Sequence, residues 1–82
     1  LSYLYFMNFV KLGAVIELIK LEQTGPPQEL AKKVAVSERM IYKYINCIKN
    51  DFKAPITYNR KKQSYCFEEK GSINLHWVSH NE

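Results

Sequence analysis

The chain alternates between stretches whose apolar residues recur every three or four positions and stretches where they recur every second one. In ERMIYKYINCIKNDF, residues 38 to 52, Ile41, Tyr44, Ile45, Ile48 and Phe52 gather within about 100° of arc at helical spacing, while Arg39, Tyr42, Lys43, Asn46 and Asn50 take the opposite side. The pattern predicts a helix over about 38 to 50 with one face for a core and the other for solvent or a ligand. Ser37 stands where its hydroxyl can accept from the backbone N–H groups that open this helix. Upstream, Tyr5, Phe9, Leu12, Ile16 and Ile19 line one side of a helix expected over about 3 to 22. Its other side is apolar as well, through Tyr3, Met7, Val10, Ala14 and Leu21, broken only by Glu17. A surface helix needs no second apolar stripe, so these five residues are the expected homodimer contact, with cover by the C-terminal tail as the alternative.

TGPP, residues 24 to 27, interrupts the pattern. Pro26 ends any continuing helix, and Pro27 suits a first helical position because its missing N–H is not needed there. A second helix is expected over about 27 to 34, burying Leu30, Ala31 and Val34 and turning Lys32 and Lys33 outward. Past Ala54 and Pro55, ITYN and SYCFE alternate with the two-residue period of β-strands and are joined by RKKQ. They predict a hairpin over about 56 to 68, with Ile56, Tyr58, Tyr65 and Phe67 facing the helices and Arg60, Lys61 and Lys62 at its tip. The tail, residues 69 to 82, carries Ile73, Leu75, Trp77 and Val78, enough to add a strand to the hairpin or to cover the first helix.

Composition narrows the class. Eighty-two residues bound the chain to a single domain, 1 to 82. With 46% apolar and 24% charged residues it is too apolar for a disordered protein. Cys47 and Cys66 lie far apart and outside any C-x-x-C spacing, so they are expected as reduced thiols in a cytoplasmic protein. In the apolar N-terminal stretch the first charge, Lys11, follows the apolar run instead of preceding it, unlike a secretory signal, and no run approaches the ~20 residues of a membrane span.

Charge changes the picture more. The formal net charge is +4, but residues 27 to 63 hold nine basic side chains against three acidic ones, net +6, leaving −2 for the rest. Such clustering fits a local footprint for a polyanion, where solubility alone would need none.

Two short helices with a tight turn between them, a basic outer face on the second, then a hairpin with a basic tip: this is the order of a winged helix-turn-helix, a mainly α fold of three helices plus a small β-hairpin wing. LAKKVAVSERMIYKYI, residues 30 to 45, resembles the helix-turn-helix of bacterial transcription regulators with DeoR-type or biotin-repressor-type N-terminal domains. In that family a small residue stands where Ala31 is, a β-branched residue where Val36 is, and an arginine or lysine where Lys43 is. The likeness continues through APITYNRKKQSYCFEE as the wing and covers about residues 12 to 69. Two positions depart from it, Ala35 where a turn glycine is usual and Met40 where threonine is usual.

The resemblance implies sequence-specific binding of double-stranded DNA by a bacterial transcription regulator, and the residue types are suited to it. Arg39 and Lys43 match guanine O6 and N7, and Asn46 matches adenine N6 and N7, so these three are the expected base readers in the major groove. Ser37, Tyr42, Lys32, Lys33, Arg60, Lys61, Lys62 and Gln63 are expected at phosphates. The alternatives are a protein-interaction module working through the apolar back of the first helix, and RNA binding through the basic hairpin.

No enzyme is expected, because no nucleophile, base and carboxylate arrangement and no phosphate-cradling glycine loop is present. His76 and His80 have the four-residue spacing of a zinc pair, but the cysteines are not paired as finger ligands, so neither a metal nor any other cofactor or small-molecule ligand is implied.

Overall fold

The computed structural model describes the backbone of residues 2 to 73 and 77 to 79, and the side chains of residues 9 to 71 and of Ser79. Three α-helices come first: α1 (Ser2–Leu21), α2 (Pro27–Val34) and α3 (Glu38–Asn46), the last running on into a π-turn over Cys47–Asp51. A hairpin of β1 (Ile56–Asn59) and β2 (Ser64–Phe67) follows, then a second antiparallel pair, β3 (Gly71–Ile73) and β4 (Trp77–Ser79).

The helix ends follow from local chemistry. Gly25 adopts φ +72°, and a Cβ there would meet Glu29 Oε2 at 3.0 Å, so both conformation and space call for glycine. Pro26 then turns the chain into α2, accepting from the Glu29 and Leu30 amides at 2.9 Å, with Pro27 at the first helical position. At the far end Ala35 is left-handed, φ 59° and ψ 51°, the conformation that the usual glycine serves. Val36 N–H reaches back to the Ala31 carbonyl at 3.0 Å, and Ala35 N–H to that of Lys32 at 3.3 Å, closing a Schellman motif. Lys11 adds to this cap by donating from Nζ to the Val34 and Ala35 carbonyls at 3.2 and 2.9 Å, a cation at the negative end of the helix. Ser37 caps α3, its Oγ accepting from Met40 N at 3.1 Å.

The core draws Leu12, Val15 and Ile19 from α1, Leu30, Ala31 and Val34 from α2, and Ile41, Tyr44 and Ile48 from α3 and its π-turn, closed by Ala54 and Ile56. Each large apolar side chain buried here contributes about 1.5 to 3 kcal/mol. The phase of α1 differs from expectation. Val15 is fully buried, whereas Phe9, expected in the core, is 67% exposed. The helix is apolar nearly all round, so periodicity alone does not fix its orientation, and packing on α2 and β2 centres it on Leu12, Val15 and Ile19.

The third helix also departs from a regular helix over 38 to 50. Beyond Asn46 the bonds widen, Phe52 N–H reaching Cys47 O and Ala54 N–H reaching Ile48 O, both at 3.1 Å. Lys53 then turns left-handed, φ 61°, ahead of Ala54 and Pro55.

The hairpin forms as expected, and its register sets Ile56 opposite Phe67 and Tyr58 opposite Tyr65. Tyr58 and Tyr65 stack edge to face with centroids 5.0 Å apart. Both faces of β2 are nevertheless covered, because Ser64 and Cys66, on the side opposite Tyr65 and Phe67, are buried. The reason is Thr24. Tyr65 N–H donates to Thr24 Oγ1 at 2.9 Å, Thr24 N–H donates to Ser64 Oγ at 3.0 Å, and the two hydroxyl oxygens lie 3.1 Å apart. The α1–α2 turn thus satisfies a backbone N–H of β2, that of Tyr65, which an uncovered strand would leave open.

Among the described residues the tail adds no strand to this hairpin: β3 and β4 pair with each other, and on the outward side of α1 Val10 and Leu21 are 54% and 59% exposed. Ser79 hydrogen-bonds the Glu69 carboxylate. His76 and His80 lie outside the described residues.

Candidate nucleic-acid interface

α3 carries its polar residues outward. Arg39, Lys43 and Asn46 are all exposed, as is Asn50 in the π-turn, opposite buried Ile41, Tyr44 and Ile48. At 1.5 Å of rise per residue, Arg39 and Asn46 stand about 10 Å apart along the axis, the height of about three stacked base pairs. Among the described residues Arg39, Lys43 and Asn46 make no side-chain hydrogen bond or ion pair, so their donors face solvent.

The expected phosphate contacts divide into two groups. Arg60 and Lys61 at the hairpin tip, and Lys32 on α2, are exposed and have no partner among the described residues. Lys33 and Lys62 are exposed too, but each is held. Lys33 Nζ donates to the Gln23 carbonyl at 2.7 Å, and Lys62 Nζ meets Glu22 Oε1 at 2.7 Å. Both therefore anchor on the turn that follows α1, which draws α2 and the hairpin tip together. The Glu22 carboxyl is lowered below its usual range by the hydrogen bond from Lys62, and the Lys62 ammonium is raised by the same bond. Lys62 N–H also donates to Asn59 Oδ1 at 3.0 Å and Gln63 is left-handed, φ 51°, which together shape the tip.

Ser37 spends its lone pairs on the cap and keeps its proton to donate. Tyr42 is otherwise placed than a phosphate donor requires. Although 48% exposed, its hydroxyl donates to Glu38 Oε2 at 3.1 Å, and giving that proton to a carboxylate raises the phenol above its ordinary range. The Tyr65 phenol on β2 is raised by burial first, then by the charges of Tyr42, Tyr58 and Glu38.

Sequence reasoning passed over Lys11, Glu22, Thr24, Glu38 and Ser64. Thr24 was readable only as part of a turn, and a hydroxyl partner 40 residues away leaves no periodic trace. Of the residues expected at a dimer contact, Val10, Ala14 and Leu21 are exposed, and the side chains of Tyr3 and Met7 lie outside those described.

Elsewhere little converges. An open groove of about 540 Å³ between the end of α1 and the β2–β3 connection mixes Lys20, Lys70, Glu22, Glu68 and Glu69 without aiming them at one point. Burial pushes both thiols, Cys47 and Cys66, upward, the reverse of an activated nucleophile. Among the described residues no group of three or more His, Cys, Asp or Glu is placed to hold a metal, and no helix is long and apolar enough to cross a membrane. Set beside known proteins, the chain matches no family model, no curated protein and no solved structure.

Proposed function

We propose that this chain is a winged helix-turn-helix protein that binds double-stranded DNA in a sequence-specific way and regulates transcription in the bacterial cytoplasm. α3 enters the major groove, where Arg39, Lys43 and Asn46 read base edges, and Ser37, Lys32, Arg60 and Lys61 hold the backbone. The observation that carries this reading is the outward face of α3, where Arg39, Lys43 and Asn46 are exposed and unpartnered among the described residues opposite buried Ile41, Tyr44 and Ile48, together with a hairpin tip bearing exposed Arg60 and Lys61. Lys33, Lys62 and Tyr42 join the backbone contacts only by giving up the partners they hold.

The protein acts as a homodimer through the outward side of α1. Val10, Leu21 and Phe9 are the large exposed apolar residues there. Gly13 lies among them, and a Cβ at Gly13 would meet nothing within 4 Å. A glycine inside a helix costs about 1 kcal/mol against alanine, and nothing among the described residues requires one here. Close approach of a second α1 gives it a reason. The same surface also supports the second reading, a protein-interaction module that never touches DNA.

Selection from a random duplex pool separates the two. The regulator enriches a motif with two related halves about one helical turn, 10 to 10.5 base pairs, apart. A module held by apolar burial enriches nothing.

A further inference from the structure

One side chain on the outer edge of α3 is absent from this reading and has the geometry to belong to it. Glu38 is the first residue of α3 and half-buried. A carboxylate in a first helical turn is favourable simply because it faces the positive end of the helix. That accounts for an acid there and for nothing about its fixed orientation. The orientation comes from Tyr42, one turn on, whose hydroxyl donates to Oε2 at 3.1 Å. Among the described residues Glu38 has no cationic partner, although Arg39 and Lys43 share its helix; the ion pairs formed are Glu17 with Lys20 and Glu22 with Lys62. Oε1 has no donor among the described residues and is left as an acceptor on a carboxylate held through Oε2.

We propose that Glu38 is a specificity-determining residue that accepts a hydrogen bond from the N4 amino group of a cytosine, with Tyr42 as the positioning residue that holds its carboxylate. The inference rests on the DNA-binding reading above. In the midst of a basic footprint an unpaired carboxylate that met phosphates would oppose binding, and only base-edge donors reward it. The major groove offers two exocyclic amino groups, adenine N6 and cytosine N4. Adenine places the N7 lone pair beside N6, which repels a carboxylate with two acceptor oxygens, whereas cytosine has no acceptor next to N4. The cytosine falls at the edge of the site nearest the start of α3, next to guanines taken by Arg39 and Lys43.

The test is selection from one random duplex pool by the wild-type protein, E38Q and Y42F in parallel, with binding of each to the winning duplex measured against salt. Wild type is expected to enrich cytosine at one position by about ten-fold over the other bases. E38Q presents an amide donor beside an acceptor and should move that one position to adenine, leaving the others and the salt slope unchanged. Y42F should keep cytosine with a weaker preference. A wild-type motif that E38Q reproduces at every position overturns the role of Glu38 while leaving the DNA-binding reading intact. E38Q binding every sequence more tightly by the same factor overturns it also, since Glu38 would then only repel phosphates. No enriched motif for wild type removes the DNA-binding reading, and this inference with it.

Discussion

The turn after α1 and the outer face of α3 are both rich in polar side chains, and they use them in opposite ways. At the turn polar groups of three successive residues have partners within the chain: Thr24 with Ser64 and Tyr65, Glu22 with Lys62, and the Gln23 carbonyl with Lys33. On α3, Arg39, Lys43 and Asn46 have none among the described residues. Formal charge therefore overstates available charge. Of the nine basic residues that make the centre of the chain basic, Lys33 and Lys62 are occupied in holding α2 and the hairpin in place. Lys11, outside that centre, is occupied likewise by the end of α2.

If the turn is structural and the α3 face functional, damage to each has a separate readout. The largest effect is expected at Thr24→Val. The shape is kept while Tyr65 N–H loses its buried acceptor and Ser64 its hydroxyl neighbour, for a loss of roughly 2 to 3 kcal/mol in urea unfolding. DNA affinity measured under folding conditions should hardly move. Lys43→Ala should do the reverse, weakening the selected sequence by about 2 kcal/mol relative to unrelated DNA while leaving the unfolding midpoint in place. Equal losses on both sequences would remove Lys43 from the readers.

Much of the fold was legible because its causes are local. The Ser37 cap, the proline start of α2, the left-handed residue after it and the hairpin each depend on side chains a few positions apart. What was not legible is tertiary. The orientation of α1 was read through Phe9 and missed Val15, since a helix apolar on all sides shows no preferred face. The hydroxyl pair of Thr24 and Ser64 and the ion pair of Glu22 and Lys62 each join residues 40 apart. At the candidate site, the exposure of Arg39, Lys43 and Asn46 could be read from a helical wheel. That Tyr42 gives its proton to Glu38 could not, because an i, i+4 pair on a helix is an opportunity that only side-chain geometry settles.

A smaller effect sharpens the comparison at the turn between α2 and α3. Ala35→Gly relieves a left-handed alanine and should stabilise the protein by up to about 1 kcal/mol, raising Tm by a few degrees in a thermal melt, without altering DNA affinity. The smallest effects distinguish neighbours at the hairpin tip. Lys61→Ala should flatten the salt dependence of DNA binding by about one unit, and Lys62→Ala, already engaged with Glu22, by much less. The ion pair has its own pH signature. Glu22 is lowered from 4.5, so its contribution is present above that value and is lost as pH falls through its folded pKa; Lys62 is raised from 10.5, so its contribution is lost as pH rises through its folded pKa. Any stability difference between wild type and Lys62→Ala should therefore be constant near neutrality and vanish in acid.

The central claim is that the unpartnered face of α3 and the hairpin tip together neutralise a duplex, and the salt dependence of binding tests it most directly. Titration of the selected duplex by fluorescence anisotropy across a ten-fold range of salt should show the association constant falling by roughly 2 to 3 units of log K per bound subunit, the response of the phosphates met by Lys32, Arg60 and Lys61. A flat response, or no association at the lowest ionic strength, would contradict it.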